Sequence, residues 1–291
     1  MPQRVTQDGF TIPGVSRGLF GALRESYLLN LLVHKELRVR YRGSLLGMLW
    51  SYAKPATQFL VFFFAIGVFM GMNRNITNYV VFMFSGVVLI NYFSEIFGNA
   101  TRILVGNSDL VKKIYLQREL FPLSSVVVAF IHLVPQIVIL LIGALVFGWR
   151  PGPIDLLAGL FGVLIVTVFA LGLGLITGAL NVMYRDSENF VDLLLMMATW
   201  VSPVLYIWSM VRDVFSGSWE WLWYLYLLNP ITIAVEMFHR AFWLPSRGVD
   251  PTNAFPHLWE WGVIALVISL IVLWIGNRTF EHFDGRFAQE L

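Results

Sequence analysis

Four cations, Lys35, Arg38, Arg40 and Arg42, crowd into the eight residues "KELRVRYR". At 100° per residue Lys35, Arg38 and Arg42 share one helical face, and Val33, Leu37 and Tyr41 share another. Such a helix lies in a membrane interface, with its apolar side in lipid and its basic side toward anionic headgroups. A plain juxtamembrane anchor accounts for the same pattern. Gly43 then permits a bend, Ser44 can cap the next helix, and Pro55 disturbs that helix early.

Other candidate chemistry is sparser. Glu236 and His239 have the Glu-x-x-His spacing of a helical metal pair. No second carboxylate set accompanies them, and an ion pair of Glu236 with the adjoining Arg240 competes with that reading. His132, Pro135 and Gln136 fall inside an apolar stretch, where polar groups either join helices by hydrogen bonds or line a polar path. Glu95 stands within reach of Arg102. The segment "NSDLVKKIY" offers Asn107, Ser108 or Asp109 as a cap and a short amphipathic helix through about Tyr115, with Leu110 and Ile114 on one face. An exposed helix of this kind is a handle for a partner protein.

Some chemistries are excluded. The chain has no cysteine, so disulfides, thiolate catalysis and cysteine-held metals are ruled out. The lysine of a phosphate-binding loop follows a glycine, whereas the lysines here follow His34, Ala53, Val111 and Lys112. ATP is therefore not hydrolysed here through such a loop. Arg4, Asp8, Arg17, Arg24 and Glu25 interrupt the first thirty residues, which do not read as a cleavable signal peptide.

The elements that position these residues follow from composition. Of 291 residues 57% are hydrophobic and only 13% charged, with a mean hydropathy of +0.71. Soluble proteins carry about a quarter charged residues, so the bilayer is the natural solvent. Six stretches approach the roughly 20 apolar residues of a spanning helix: 55–72, 79–98, 122–147, 156–180, 190–211 and 258–276. Pro203 interrupts the fifth. Gly159, Gly162, Gly172, Gly174 and Gly178 mark the fourth as a close-packing helix. Between the fifth and sixth, "WEWLWYLYLL" and "ITIAVEMFHRAFW" flank Asn229–Pro230. Each piece reaches about half of the ~30 Å hydrocarbon core, which suits a re-entrant pair or two helices flat on the surface.

The expected fold is thus an all-α membrane protein of six transmembrane helices, with an N-terminal interfacial amphipathic helix and a re-entrant half-helix pair before the last span. It forms one helical membrane domain over 1–291: an N-terminal segment to 54, the spans over 55–276 and a tail over 277–291. Of the 20 basic residues, 15 fall on the side holding 1–54, 99–121, 181–189 and 277–291. That bias makes this side, and both termini, cytoplasmic.

At this point a resemblance enters. "RVRYRGSLLGMLWSYAKP", "LVGNSDLVKKIYLQRELFPLS", "YRDSENFVDLLLMMATWVSPVLY", "LNPIT" and "FDGRFAQEL" together resemble the permease subunit of type-2 ABC exporters. Within that family they resemble the branch that exports polysaccharides and polyol phosphates such as O-antigen, teichoic acid and galactan. The likeness covers roughly residues 25–291. Two positions depart from the family's pattern: Gln117, often proline there, and Lys54, often a neutral polar residue.

The resemblance implies a bacterial inner-membrane protein that forms a homodimer with two copies of an ATP-binding subunit. That partner would hold ATP and magnesium, with no cofactor in this chain and no role for nucleic acid. The implied cargo is a polyprenyl-diphosphate-linked glycan moved to the outer leaflet. Lys35, Arg38 and Arg42 would then collect its diphosphate. Asp109, Leu110, Lys112, Lys113, Ile114 and Tyr115 would form the contact with the ATPase. Trp50, Phe59, Phe63, Trp200, Tyr206 and Trp208 either line a glycan path or pack against lipid and core. Rival readings are a type-2 permease for a small hydrophobic drug or lipid, and a membrane-embedded glycan-processing enzyme. The second lacks a clear carboxylate pair, having only scattered acids such as Asp109, Asp186 and Glu188 in the inner loops.

Overall fold

The computed structural model describes residues 18–45, 47–114, 116–217 and 219–291. Among them there is no strand, and the α-helices in order are α1 Gly18–Leu23, α2 Ser26–Tyr41, α3 Trp50–Phe62, α4 Met72–Asn75, α5 Tyr79–Gly106, α6 Ser108–Lys113, α7 Leu120–Val146, α8 Pro153–Met183, α9 Ser187–Val201, α10 Trp208–Val214, α11 Glu220–Leu227, α12 Pro230–Phe238 and α13 Leu258–Glu290. π-helical stretches Phe63–Phe69 and His239–Trp243 extend α3 and α12.

Among the described residues four helices, those at the second, third, fourth and sixth predicted stretches, are long and apolar enough to cross a membrane. The other two stretches differ from a single regular span. α3 passes through Pro55 and then winds into the π-helical stretch. α9 stops at Val201, the chain is non-helical over 202–207, and α10 resumes at Trp208. Pro203 is the cause: its ring cannot donate the helical hydrogen bond and pushes the residue before it out of the α region. At 15 residues α9 is about 22 Å long, short of the ~30 Å core. Over the tail expected at 277–291, α13 continues without a break to Glu290.

α8 is the axis of the bundle, packing against α5, α7, α12 and α13. Its glycines make that possible. A β-carbon on Gly172 would sit 2.6 Å from the backbone nitrogen of Leu273 on α13, and one on Gly178 would sit 2.8 Å from the carbonyl oxygen of Ala100 on α5. One on Gly162 would come 3.0 Å from the carbonyl oxygen of Ala234 on α12. Three neighbours thus meet the axis backbone to backbone, where dispersion contacts are densest. The glycine stripe read from the sequence is this contact.

The bundle has two differently built ends. At one, α12 is buried along its whole length. Asn229 caps it by accepting a hydrogen bond from the Ile231 N–H at 3.1 Å, with Pro230 at the first helical position. The stretch His239–Trp243 is pinned there. Trp243 donates to the Thr77 carbonyl at 2.7 Å, and Trp149 donates to the Ala241 carbonyl at 2.9 Å. At the other end a second apolar cluster gathers Leu104, Val111, Leu120, Phe121, Val182, Phe280 and Phe287. It ties α6, α7 and the ends of α5 and α8 to the last turns of α13. Arg118 bonds Asp284 at 2.8 Å there, and Gln117, buried, donates to Glu25 at 3.0 Å.

Candidate functional site

α2 packs along α7, burying Leu32 and Val33. The helix ends at Tyr41, because Arg42 is extended and Gly43 turns with φ +73°. Arg42 therefore does not continue the helical face of Lys35 and Arg38, as the spacing suggested. Ser44 caps the next turn, accepting from the Gly47 N–H at 3.0 Å. Arg38 and Arg42 are exposed. Lys35 bonds the side-chain oxygen of Asn107 and pairs with Glu36 at 3.1 Å.

The cation that reaches inward is Arg40, outside the predicted set. It pairs with Glu95 on α5 at 2.5 Å, and Glu95 lies 2.6 Å from Nδ1 of His132 on α7. Nε2 of His132 lies 2.7 Å from the Tyr41 hydroxyl. A coherent assignment has Nδ1–H donating to the carboxylate and Nε2 accepting from Tyr41. Of the two readings of His132, the interhelical hydrogen bond is the one present. The pairing of Glu95 with Arg102 does not form. Arg102 instead bonds Glu188, at 2.5 Å, and Asp192 on α9. Both carboxylates come from a helix distant in sequence, so spacing along α5 gave no sign of them. Arg40 had a local sign: it stands three residues after Leu37, at the border of the apolar face, where a long side chain can reach across.

Behind Arg40 opens a cleft of about 700 Å³, bounded by Trp50, Pro55 and Gln58 on one wall and Asn91, Glu95, Asn99 and Gln136 on the other. A smaller one of about 220 Å³, which also touches Arg40 and Asn99, runs past Lys35, Arg102, Asn107 and Ser125. Together they form a groove beneath α2 in which amides and charges interrupt apolar walls, inside an otherwise apolar bundle.

The six predicted aromatic residues do not share one surface. Trp50 borders the polar cleft. Phe59 stacks on Phe63, with centroids 6.1 Å apart, and meets Phe84 edge-on at 5.0 Å. Trp200 and Tyr206 border an apolar groove of about 530 Å³ between α9, α10 and α11, and the Tyr206 hydroxyl donates to the Trp200 carbonyl at 2.9 Å. Trp208 is held apart, donating to the Asn253 carbonyl at 3.0 Å and packing on Phe255.

The short helix expected at 108–115 is present as α6, but it ends at Lys113. Ile114 is extended, so it does not stand one helical turn beyond Leu110 on a shared face. It is 48% exposed, whereas Leu110 packs partly on the apolar cluster and Val111 is buried in it. Asn107 occupies the cap position, yet its side chain turns back to the Ile103 carbonyl at 2.8 Å and to Glu36 at 3.2 Å. Asp109, Lys112 and Lys113 are exposed. Tyr115 lies outside the described residues.

The metal reading of Glu236 and His239 gains no third ligand: no group of three His, Cys, Asp or Glu side chains suited to a metal ion occurs among the described residues. Arg240 does not pair with Glu236. It faces Asp155 on α8 at 3.4 Å, while Glu236 lies 3.6 Å from His239. One helical turn brings positions three apart together, but α8 offers Arg240 a carboxylate nearer the surface.

A bundle with four helices long and apolar enough to cross a membrane, and with a groove beneath a basic helix, is the architecture of a polytopic membrane protein. Residues 27–243 match the family described as ABC-2 type transporter. The chain belongs to that family. Two relatives from Klebsiella pneumoniae are 28% and 31% identical over 272 residues, covering 91% of this chain and 96% of each relative. A third, from Myxococcus xanthus, is 30% identical over 277 residues, covering 92% of this chain and 98% of the relative. All three are named O-antigen export system permease protein RfbA.

Proposed function

We propose that this chain is the membrane subunit of an ATP-driven exporter of a polyprenyl-diphosphate-linked polysaccharide of the O-antigen type, in a bacterial inner membrane. The observation that carries the reading is the groove under α2, where amides and charges interrupt apolar walls, set inside apolar helices. A permease for a small hydrophobic drug has no use for a cleft bordered by amides and charges, which cost free energy to bury without polar partners. The similarity to O-antigen export permeases over nearly the whole length supports the same cargo.

In this reading two copies pair with two ATP-binding subunits, which hold ATP and magnesium. Both termini and α6 are cytoplasmic, as the bias of basic residues supports. α3 with its π-helical stretch, and α9 with α10, supply the first and fifth of six crossings. α11 and α12 form the re-entrant pair from outside, and the burial of α12 against α8, α13 and α5 supports its dipping into the bundle. Exposed Arg38 and Arg42 attract the diphosphate at the membrane surface, while Lys35 steadies the groove's edge through Asn107. Of the six aromatic residues, Trp50 is the one best placed on the glycan's route. α6 meets the ATPase through Asp109, Lys112 and Lys113, with Leu110 seating the helix and Ile114 exposed just beyond its end.

The test is reconstitution of the permease with its ATP-binding partner in vesicles loaded with the lipid-linked glycan. ATP should bring the glycan to the opposite leaflet, where an added glycosidase digests it. Equal digestion with and without ATP would end this reading.

A further inference from the structure

The floor of the larger cleft is not cationic. Arg40, which borders it, is already paired with Glu95, and Arg102, on the smaller cleft, with Glu188 and Asp192. The deep residues are neutral amides. Asn91 stands fifteen residues before the α6 end of α5, and Gln136 sixteen residues after the start of α7, which places both about 22–24 Å along their helices. Both border the cleft. Nδ2 of Asn91 and Oε1 of Gln136 are buried without a partner, and Gln136 is only 5% exposed. Its amide nitrogen is committed to the His132 carbonyl at 3.1 Å, so what it offers is an acceptor, while Asn91 offers a donor. Gln58 and Asn99 border the same cleft with further amides, and Trp50 brings a flat ring to its rim.

This donor and acceptor set selects among ligands. A phosphate placed at that depth would meet the Glu95 carboxylate and, among the described residues bordering the cleft, no unpaired cation. A polyprenyl tail would leave the amides unsatisfied, at a cost. A sugar hydroxyl both donates and accepts, and so matches an amide donor beside an amide acceptor. Resting on the proposed export of a lipid-linked glycan, we infer that Gln58, Asn91, Asn99 and Gln136 form a binding site for the neutral sugar rings nearest the lipid diphosphate. The diphosphate stays at the α2 rim while the first rings enter the amide cleft, so the transporter tells a glycan-bearing carrier from an empty one here.

The experiment uses the permease assembled with its ATP-binding subunit in lipid nanodiscs. Two probes are titrated: polyprenyl diphosphate alone, and the same lipid carrying a disaccharide. Wild type should bind the sugar-bearing probe more tightly. Asn91→Leu with Gln136→Leu should weaken that binding roughly 10- to 100-fold, the worth of two or more hydrogen bonds, and leave the bare lipid's affinity unchanged. A second measurement needs no change to these two amides. The thiol introduced by Gln58→Cys in this cysteine-free chain should be shielded from a small maleimide by the sugar-bearing probe and not by the bare one. If the double variant keeps the wild-type preference, or the introduced thiol is shielded equally by both probes, the site is refuted while glycan export stands. If wild type binds neither probe, the export reading falls and the site with it.

Discussion

The two flanks of this bundle are held by different physics. On one, α8 meets α5, α12 and α13 through glycines, backbone against backbone. On the other, α2 and α9 are tied to α5 and α7 by side-chain bonds: Arg40 to Glu95, Glu95 to His132, and Arg102 to Glu188 and Asp192. Backbone contacts tolerate no displacement, since dispersion falls off within an ångström. Ion pairs between partly exposed groups are individually weak and can be exchanged for water or for a ligand. The first flank is a scaffold, and the second is a set of latches around the groove.

That contrast can be broken at several points, with effects on stability that should fall in order. Gly172→Val drives a side chain into the Leu273 backbone and should cost about 3 kcal/mol or more, the upper end for overpacking. Thermal unfolding of the detergent-purified protein would report it. A melting temperature within a degree or two of wild type would show that α8 and α13 are not locked together. Next in size is the latch at α2. A double-mutant cycle of Arg40→Gln and Glu95→Gln should give a coupling of about 1–2 kcal/mol, given partial exposure. Zero coupling would remove that pair from the latches.

Arg102→Gln should cost less, about 1 kcal/mol or below, because both of its carboxylate partners are substantially exposed. Its effect should shrink at high salt, and a salt-independent loss would mark it as part of the scaffold instead. Smallest is Ile114→Asp, within about 0.5 kcal/mol for an exposed position. Co-purification of the ATP-binding subunit should nevertheless fall. Full co-purification with export intact would remove Ile114 from the contact.

Legibility in the sequence follows the same division. The glycines of α8 announced their role because only glycine removes the β-carbon that keeps helices apart, so type and spacing sufficed. Asn229–Pro230 announced a boundary between two helical pieces because the effect of a proline is local, and the structure adds the Asn229 cap. The partners of Glu95, Arg102 and Arg240 were not legible, since each had a plausible neighbour in sequence and a better one in space. Ile114 was misplaced because a helix end shifts by a residue or two without a strong stop, and α6 closed at Lys113.

What the sequence by itself determined is the apolar composition, the helical class, the four helices long enough to span a membrane, the close packing of α8 and the family. These follow from hydropathy and from residue types whose effect acts within a few positions along the chain. Only the tertiary structure decided that Arg40 reaches Glu95, that Arg102 reaches Glu188 and Asp192 on α9, and that Asn91 and Gln136 border one cleft. Those outcomes depend on distances between side chains far apart in sequence. Electrostatic and hydrogen-bond choices among competing partners turn on such distances, and helix periodicity does not supply them.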